Sequence, residues 1–226
     1  TDNNLPFYNV LGTQQDNTAI SVPSDSINGM IKYSDCKIVG SSESGHIAVD
    51  PLKQHCTYSG ALGSYHGAGP LMLKHDKISG EVDMVTVWPD VTGHTNSERK
   101  YRFGWDQPII FSLHHQNRLL TAANVIFESY DEGKSWTEIS PDLTRNDPNY
   151  IETDSSGTTS DKPRNKWESA PKNKIAPFER CYISALGESP IDKNTLWAGT
   201  DDGTIQLTKD NSNNWLNVTP KDLEPW

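Results

Sequence analysis

The chain has 226 residues, 34% of them hydrophobic, and a mean hydropathy of −0.68, so long buried helices are not expected. No apolar run approaches the roughly 20 residues that a membrane span needs. A formal charge of −10 and a pI near 5.1 argue against nucleic acid, which requires a basic face, and against docking on anionic lipid. Seven Trp, eight Tyr, sixteen Gly and fourteen Pro instead suit many short strands joined by tight turns, an all-β composition.

Residues 1–30 contain FYNVLGTQQDNTAISVPS (7–24), two short strands around the turn GTQQDNTA (12–19). Gln14, Gln15, Asp16 and Asn17 concentrate amides and a carboxylate there, which suits sugar hydroxyls or a cation. The plainer reading is a polar turn whose side chains satisfy nearby backbone groups. Residues 40–92 make a second unit. His46-Ile47-Ala48-Val49-Asp50-Pro51 is a strand entering a turn, and Leu71-Met72-Leu73 leads into HDKISGEVDMVTVWP, a hairpin turning over Asp76 to Gly80.

Residues 100–144 include YRFGWDQPIIFS (101–112), in which Ile109-Ile110-Phe111 is a strand. Trp105 is either a stacking platform for a sugar or an aromatic packed between sheets, and Asp106 beside it is a candidate polar contact. His114 and His115 are adjacent, so on a strand their rings would face opposite sides and not share a metal. Residues 145–178, rich in Asp, Asn, Ser, Lys and Pro, have no periodicity and read as a long excursion, whose length points to function or a covering partner.

Residues 179–222 repeat the preceding unit. SLHHQNRLLTAANVIFESYDEGKSWTEISP (112–141) and SPIDKNTLWAGTDDGTIQLTKDNSNNWLNVTP (189–220) share Ser, Asn, Leu, a short apolar strand, a turn, a second strand and an exit on Trp-x-x-hydrophobic-Ser/Thr-Pro. The main length difference is the turn, where Asn124 is replaced by Asp201-Asp202-Gly203. A repeat of this size made of strands and hairpins predicts propeller blades. The chain is then a partial β-propeller of about four four-stranded blades: the end of one in 1–30, whole ones in 40–92, 100–144 and 179–222, and a long inter-blade loop in 145–178.

The turn SYDEGKSW explains its own composition. The Asp131 carboxylate can accept N–H groups within the turn, Gly133 supplies a positive φ, Ser129 adds a hydroxyl bond, and Trp136 folds back between strands. In the second copy Thr208, Asp210 and Trp215 hold the same offsets, Ser212 replaces Gly133, and the following Asn213 is expected to tolerate the left-handed region. These residues are therefore read as hairpin staples, not as catalytic groups.

At these residues the sequence resembles the BNR/Asp-box propellers, in particular bacterial proteins of the glycosyl hydrolase BNR-repeat or sortilin VPS10-like type. YNVLGTQQDNTAISVPS, YRFGWDQPIIFS, LLTAANVIFESYDEGKSWTEISPDLT and LWAGTDDGTIQLTKD carry the likeness, which spans most of the chain except 142–180. The resemblance implies an exported protein (secreted, periplasmic or cell-surface), members much longer than this chain, and apolar sheet faces closed by further blades or a second copy. It raises two functions: a module binding a protein, peptide or glycan without catalysis, or a glycoside hydrolase fragment completed by other blades.

A sialidase needs clustered arginines, a Tyr–Glu nucleophile pair and an Asp acid/base. Arg99, Arg102, Arg118, Arg145, Arg164 and Arg180 include no FRIP-like motif, Arg180 being the nearest approach, and most are expected in loops. Propeller xyloglucanases use two facing carboxylates, and neither is assigned here. No cofactor is expected. Asp201 and Asp202 offer paired carboxylates to Ca²⁺, although Asp-Gly is first a hairpin turn. Cys36, Cys56 and Cys181 form no CxxC pair; they read as small buried residues, with a Cys36–Cys56 disulfide the alternative if their strands adjoin.

Overall fold

The structure, a computed structural model, describes residues 1–14, 17–40, 45–62, 70–88, 100–104, 106–146 and 181–223. Their strands form four antiparallel sheets in chain order. Blade 1 holds β1 (Asn9–Gly12), β2 (Ala19–Pro23) and β3 (Lys37–Gly40). Blade 2 holds β4 (Ile47–Val49), β5 (Cys56–Leu62), β6 (Pro70–Asp76) and β7 (Val82–Met84). Blade 3 holds β8 (Ile109–Phe111), β9 (Leu119–Ala122), β10 (Ile126–Ser129) and β11 (Thr137–Glu138). Blade 4 holds β12 (Ile183–Glu188), β13 (Leu196–Thr200), β14 (Ile205–Thr208) and β15 (Leu216–Asn217). The expected propeller architecture is present, with two differences. Blade 1 has three described strands, and it extends to Gly40, because KIVG is too short to show alternation after the long 24–36 connection.

Strand β4 adjoins β8, and β8 adjoins β12, so the first strands of successive blades are neighbours, as the inner strands of a propeller are. Each middle blade is sandwiched, and β9 shows how its sequence serves both sides. Leu119 packs with Tyr58, Met72 and Ile109 toward blade 2, while Leu120 and Ala122 pack with Ile183, Leu196 and Ala198 toward blade 4. Both faces of β9 are therefore buried, and its sequence, LLTA, shows no alternation of apolar and exposed polar residues. Among the described residues, the outer faces of blades 1 and 4 have no such neighbour. Val10, Ile20 and Ile38 are 50%, 37% and 67% exposed on blade 1, and Trp197 and Leu216 are exposed on blade 4.

A meander of antiparallel strands sends successive connections to alternate edges. The connections after β1, β3, β5, β7, β9, β11 and β13 share one edge, and those after the even-numbered strands share the other. All the long inter-blade connections fall on the first, the long-loop edge. The second, the short-turn edge, carries both Asp-containing turns.

Those turns have the expected chemistry. Ser129 Oγ accepts the Gly133 N–H at 2.9 Å and donates to Asp131 Oδ1, which also accepts the Ser135 N–H at 2.9 Å. Hydrogen bonds from Ser135 and Ser129 hold the Asp131 carboxyl down at about 2. Thr208, Ser212, Asp210 and Asn214 repeat the pattern. The left-handed pair is Glu132 and Gly133 in one turn and Asn211 and Ser212 in the other, so Ser212 itself takes the glycine's backbone and Asn213 does not. The Trp136 indole folds back as expected and donates to the Val85 carbonyl at 3.1 Å.

A Cβ on Gly133 would lie 2.8 Å from Val85 Cβ at a φ of +83°. Gly133→Ala is therefore expected to cost about 1–3 kcal/mol, read as a shift in denaturant midpoint at unchanged slope.

None of the three cysteines is in a disulfide. Among the described residues no helix is long and apolar enough to cross a membrane.

Candidate functional site

The long-loop edge gathers polar side chains from five connections. Arg102, in the β7–β8 connection, is the centre of one hydrogen-bonded group. Its N–H donates to Asn124 Oδ1 at 3.0 Å, its Nε to the Cys181 carbonyl at 3.0 Å, and its Nη2 to Asp142 Oδ2 at 2.6 Å and Thr144 Oγ1 at 3.1 Å. One guanidinium thus ties the β7–β8 loop to the two ends of the β11–β12 excursion. Burial pushes the Asp142 carboxyl up, but hydrogen bonds from Thr144 and Arg102 outweigh it and hold the group below its ordinary range.

Beside it, Tyr182 packs against Gly104, where a Cβ would fall 1.8 Å from the ring. Only glycine lets the two connections approach so closely. The Tyr182 N–H donates to Asp201 Oδ1 at 2.8 Å. Burial, then the charges of Asp201 and Asp106, push the Tyr182 phenol up to about 12. Burial also raises Asp201, and neighbouring Asp202 adds to the rise. Cys181, which starts this segment, holds a left-handed φ of 61° that non-glycine residues seldom adopt.

The sequence candidates divide clearly. Gln14 and Asn17 are exposed on this edge, where the Asn17 N–H closes a turn on the Gln14 carbonyl. Gln15, Asp16 and Trp105 lie outside the described residues, as does most of 145–178. Asp106 is exposed on the same edge, near Tyr182. Asp201 and Asp202 sit there too, but their carboxylates serve protein donors: Asp202 accepts the Arg145 N–H at 2.7 Å and the Thr200 hydroxyl. Ser129, Asp131, Gly133, Trp136, Thr208, Asp210 and Trp215 all belong to the opposite edge and its turns.

One expectation is corrected. His114 and His115 lie in the β8–β9 turn, where both N–H groups donate to Ser112 Oγ, so strand alternation does not govern them. Arg118 does lie in a connection, directly before β9, but it is 3% exposed and paired with Glu128 and Glu188. The sequence reading also missed Asn124, Asp142 and Tyr182 as partners; the one usable signal was the glycine of RFGW, which marks a close approach.

The short-turn edge has a cleft of about 230 Å³ between blades 2 and 3, lined by Asp50, Leu52, Lys53, Phe111, Tyr130 and Glu132 among others. Its charges largely pair with one another: Lys53 and Lys74 both donate to Glu132. These bonds hold the Glu132 carboxyl down at about 2 and raise both lysines. A lowered carboxyl pKa stabilises the fold above the ordinary glutamate range, and that stabilisation disappears as pH falls from about 4.5 through 2. Glu132→Gln is expected to cost on the order of 1 kcal/mol at pH 7, since Lys53 is half exposed and screened, and to flatten the acid limb of a melting-temperature profile.

No family model matches this chain, and no curated protein matches it. Among solved structures it is similar to a GH74 enzyme of Niastella koreensis (15% identity, TM-score 0.51), covering 94% of this chain and 28% of that one. It is likewise similar to an ancestral GH74 enzyme (11%, TM-score 0.53, covering 96% and 26%) and to the GH74 xyloglucanase of Xanthomonas campestris (13%, TM-score 0.50, covering 96% and 32%). The chain spans about a quarter to a third of these proteins. At such identities the likeness concerns fold alone: the chain is a segment of β-propeller architecture.

Proposed function

We propose that this chain is an exported propeller segment of the BNR/Asp-box, sortilin-like kind, which binds a protein, peptide or glycan through its long-loop edge without catalysis of its own. The observation that carries the reading is the division of labour between edges. Staples occupy the short-turn edge, while exposed Gln14, Asn17 and Asp106 share the other edge with the Arg102–Tyr182 group. Amide and carboxylate groups on a rigid rim suit hydrogen bonding to hydroxyls or backbone amides. The outer faces of blades 1 and 4 suit further blades or a second copy.

The test is a glycan and peptide array probed with the purified chain, followed by Asp106→Ala and Asn17→Ala, with Lys134→Ala on the opposite edge as control. The rim variants should weaken binding about tenfold or more, which is about 1.4 kcal/mol, and the control should not. Equal loss in the control would remove the assignment.

A second reading, a hydrolase fragment, draws support from Asp201, whose carboxyl is raised as a proton donor requires, with Asp106 nearby. Product release from a polysaccharide, abolished in Asp201→Asn, would establish it instead.

A further inference from the structure

On the short-turn edge of blade 2, His55, Cys56 and Asp76 bring an imidazole nitrogen, a thiol sulfur and a carboxylate oxygen within 4.8 Å of one another. We infer that these three side chains form a binding site for a zinc-class divalent ion, with the fourth position open to water. Several independent features support it.

The placement follows from register. Cys56 and Asp76 are directly opposed at the end of the β5–β6 pair, so their side chains share a face. His55 precedes Cys56, and its carbonyl accepts the Lys77 N–H at 2.9 Å, which fixes the turn beside Asp76. His55 Nε2 stands 3.9 Å from Asp76 Oδ2. Tetrahedral zinc with bonds of about 2.0–2.3 Å places its ligand atoms roughly 3.3–3.8 Å apart, so closure needs movements of about 1 Å. His55, half exposed in a turn, has the freedom to make them. One nitrogen, one sulfur and one oxygen donor is a set that suits zinc better than calcium or magnesium.

The surrounding charge permits a cation. Lys53 and Lys74 are spent on Glu132, and Lys77 on Asp2. Around Cys56 the positive charges of Lys74 and Lys53 are met by the negative charges of Asp76 and Asp50. On binding, the sulfur–metal bond replaces the S–H bond and the proton leaves to solvent.

Comparison of the blades gives the site a role. In blades 3 and 4 this turn is held by Ser129 or Thr208 two residues before its Asp, and Trp136 or Trp215 stands five residues after it. Blade 2 has Lys74 and Glu81 at those offsets. Asp76 Oδ1 still accepts the Ile78 N–H at 2.7 Å and the Ser79 N–H at 3.2 Å, but Oδ2 faces the His55 ring. An ion joining His55, Cys56 and Asp76 would tie the β4–β5 turn to the β6–β7 turn where the other staple is missing.

The test titrates the reduced chain with Co²⁺ and reads the thiolate-to-cobalt absorption band. One equivalent should generate it and Zn²⁺ should displace it; Zn²⁺ should also raise the melting temperature. Cys56→Ser should abolish the band, Cys36→Ser should retain it, and His55→Ala and Asp76→Asn should weaken binding about tenfold or more. Should buried Cys56→Ser fail to fold, half-exposed His55→Ala carries the test. No band in the native chain, a band surviving in folded Cys56→Ser, or unaltered affinity in His55→Ala would overturn the proposal.

Discussion

Arg118→Met is expected to lower the unfolding free energy by about 3–5 kcal/mol. The guanidinium is almost fully buried between blades 3 and 4, its Nε donating to Glu128 Oε2 at 2.7 Å and its Nη1 to Glu188 Oε1 at 3.4 Å. Glu188 is buried as well and has other partners: Ser112 Oγ stands 2.9 Å from both its oxygens, and the Leu113 N–H donates at 2.6 Å. Methionine preserves much of the apolar stem but leaves the Glu188 carboxylate without its cation, and an unpaired buried charge is the expensive outcome. Removing both charges should be milder, because two well-packed apolar side chains do not incur the desolvation cost of the pair. Arg118→Met with Glu188→Leu should therefore recover part of the loss. Denaturant unfolding of both singles and the double separates the coupling from the cost of either truncation. A single-variant loss below about 1 kcal/mol would mean that water reaches and screens the pair.

That network marks the boundary of what the sequence could disclose. The turn residues were legible because their chemistry is local: Ser129, Asp131, Gly133 and Ser135 meet within seven residues, and the same offsets recur at Thr208 to Asn214. The blades followed, since a repeated hairpin with the same staple implies a repeated sheet. Arg118 and Glu188 are seventy residues apart, and neither pattern nor spacing announces that they meet. Arg102 and Asp142, forty residues apart, are brought together by blade-to-blade packing that sequence alternation does not encode. Blade 1 was bounded too early for a related reason. A four-residue strand after a long connection carries no period of its own, and only pairing with Ser21 and Ile20 makes Lys37 and Ile38 part of the sheet. Edge assignment, by contrast, needed nothing but strand parity once the strands were counted.

Phe127→Ala carries the second large effect, and it bears on the long-loop edge as well as on stability. Phe127 is 1% exposed, meets the Tyr101 ring edge-on at 4.8 Å and stacks with Phe103 at 6.1 Å and 14°. Truncating a buried phenylalanine costs about 3–5 kcal/mol when its cavity cannot collapse, and the neighbouring Ala123 and Val125 are too small to fill it. The consequence reaches further because Tyr101 and Phe103 flank Arg102. These rings anchor the short segment that aims the guanidinium at Asp142 and the Cys181 carbonyl. Loss of the ring should therefore loosen the Arg102 backbone, whose N–H donates to Asn124 Oδ1, and speed its hydrogen exchange more than the drop in global stability requires. Phe127→Leu should lose less stability and keep the Arg102 amide protected. If Phe127→Ala lowers global stability while exchange at Arg102 follows only the global change, the aromatic cluster supports the blade alone, and Asn124 and Asp142 suffice to orient the arginine.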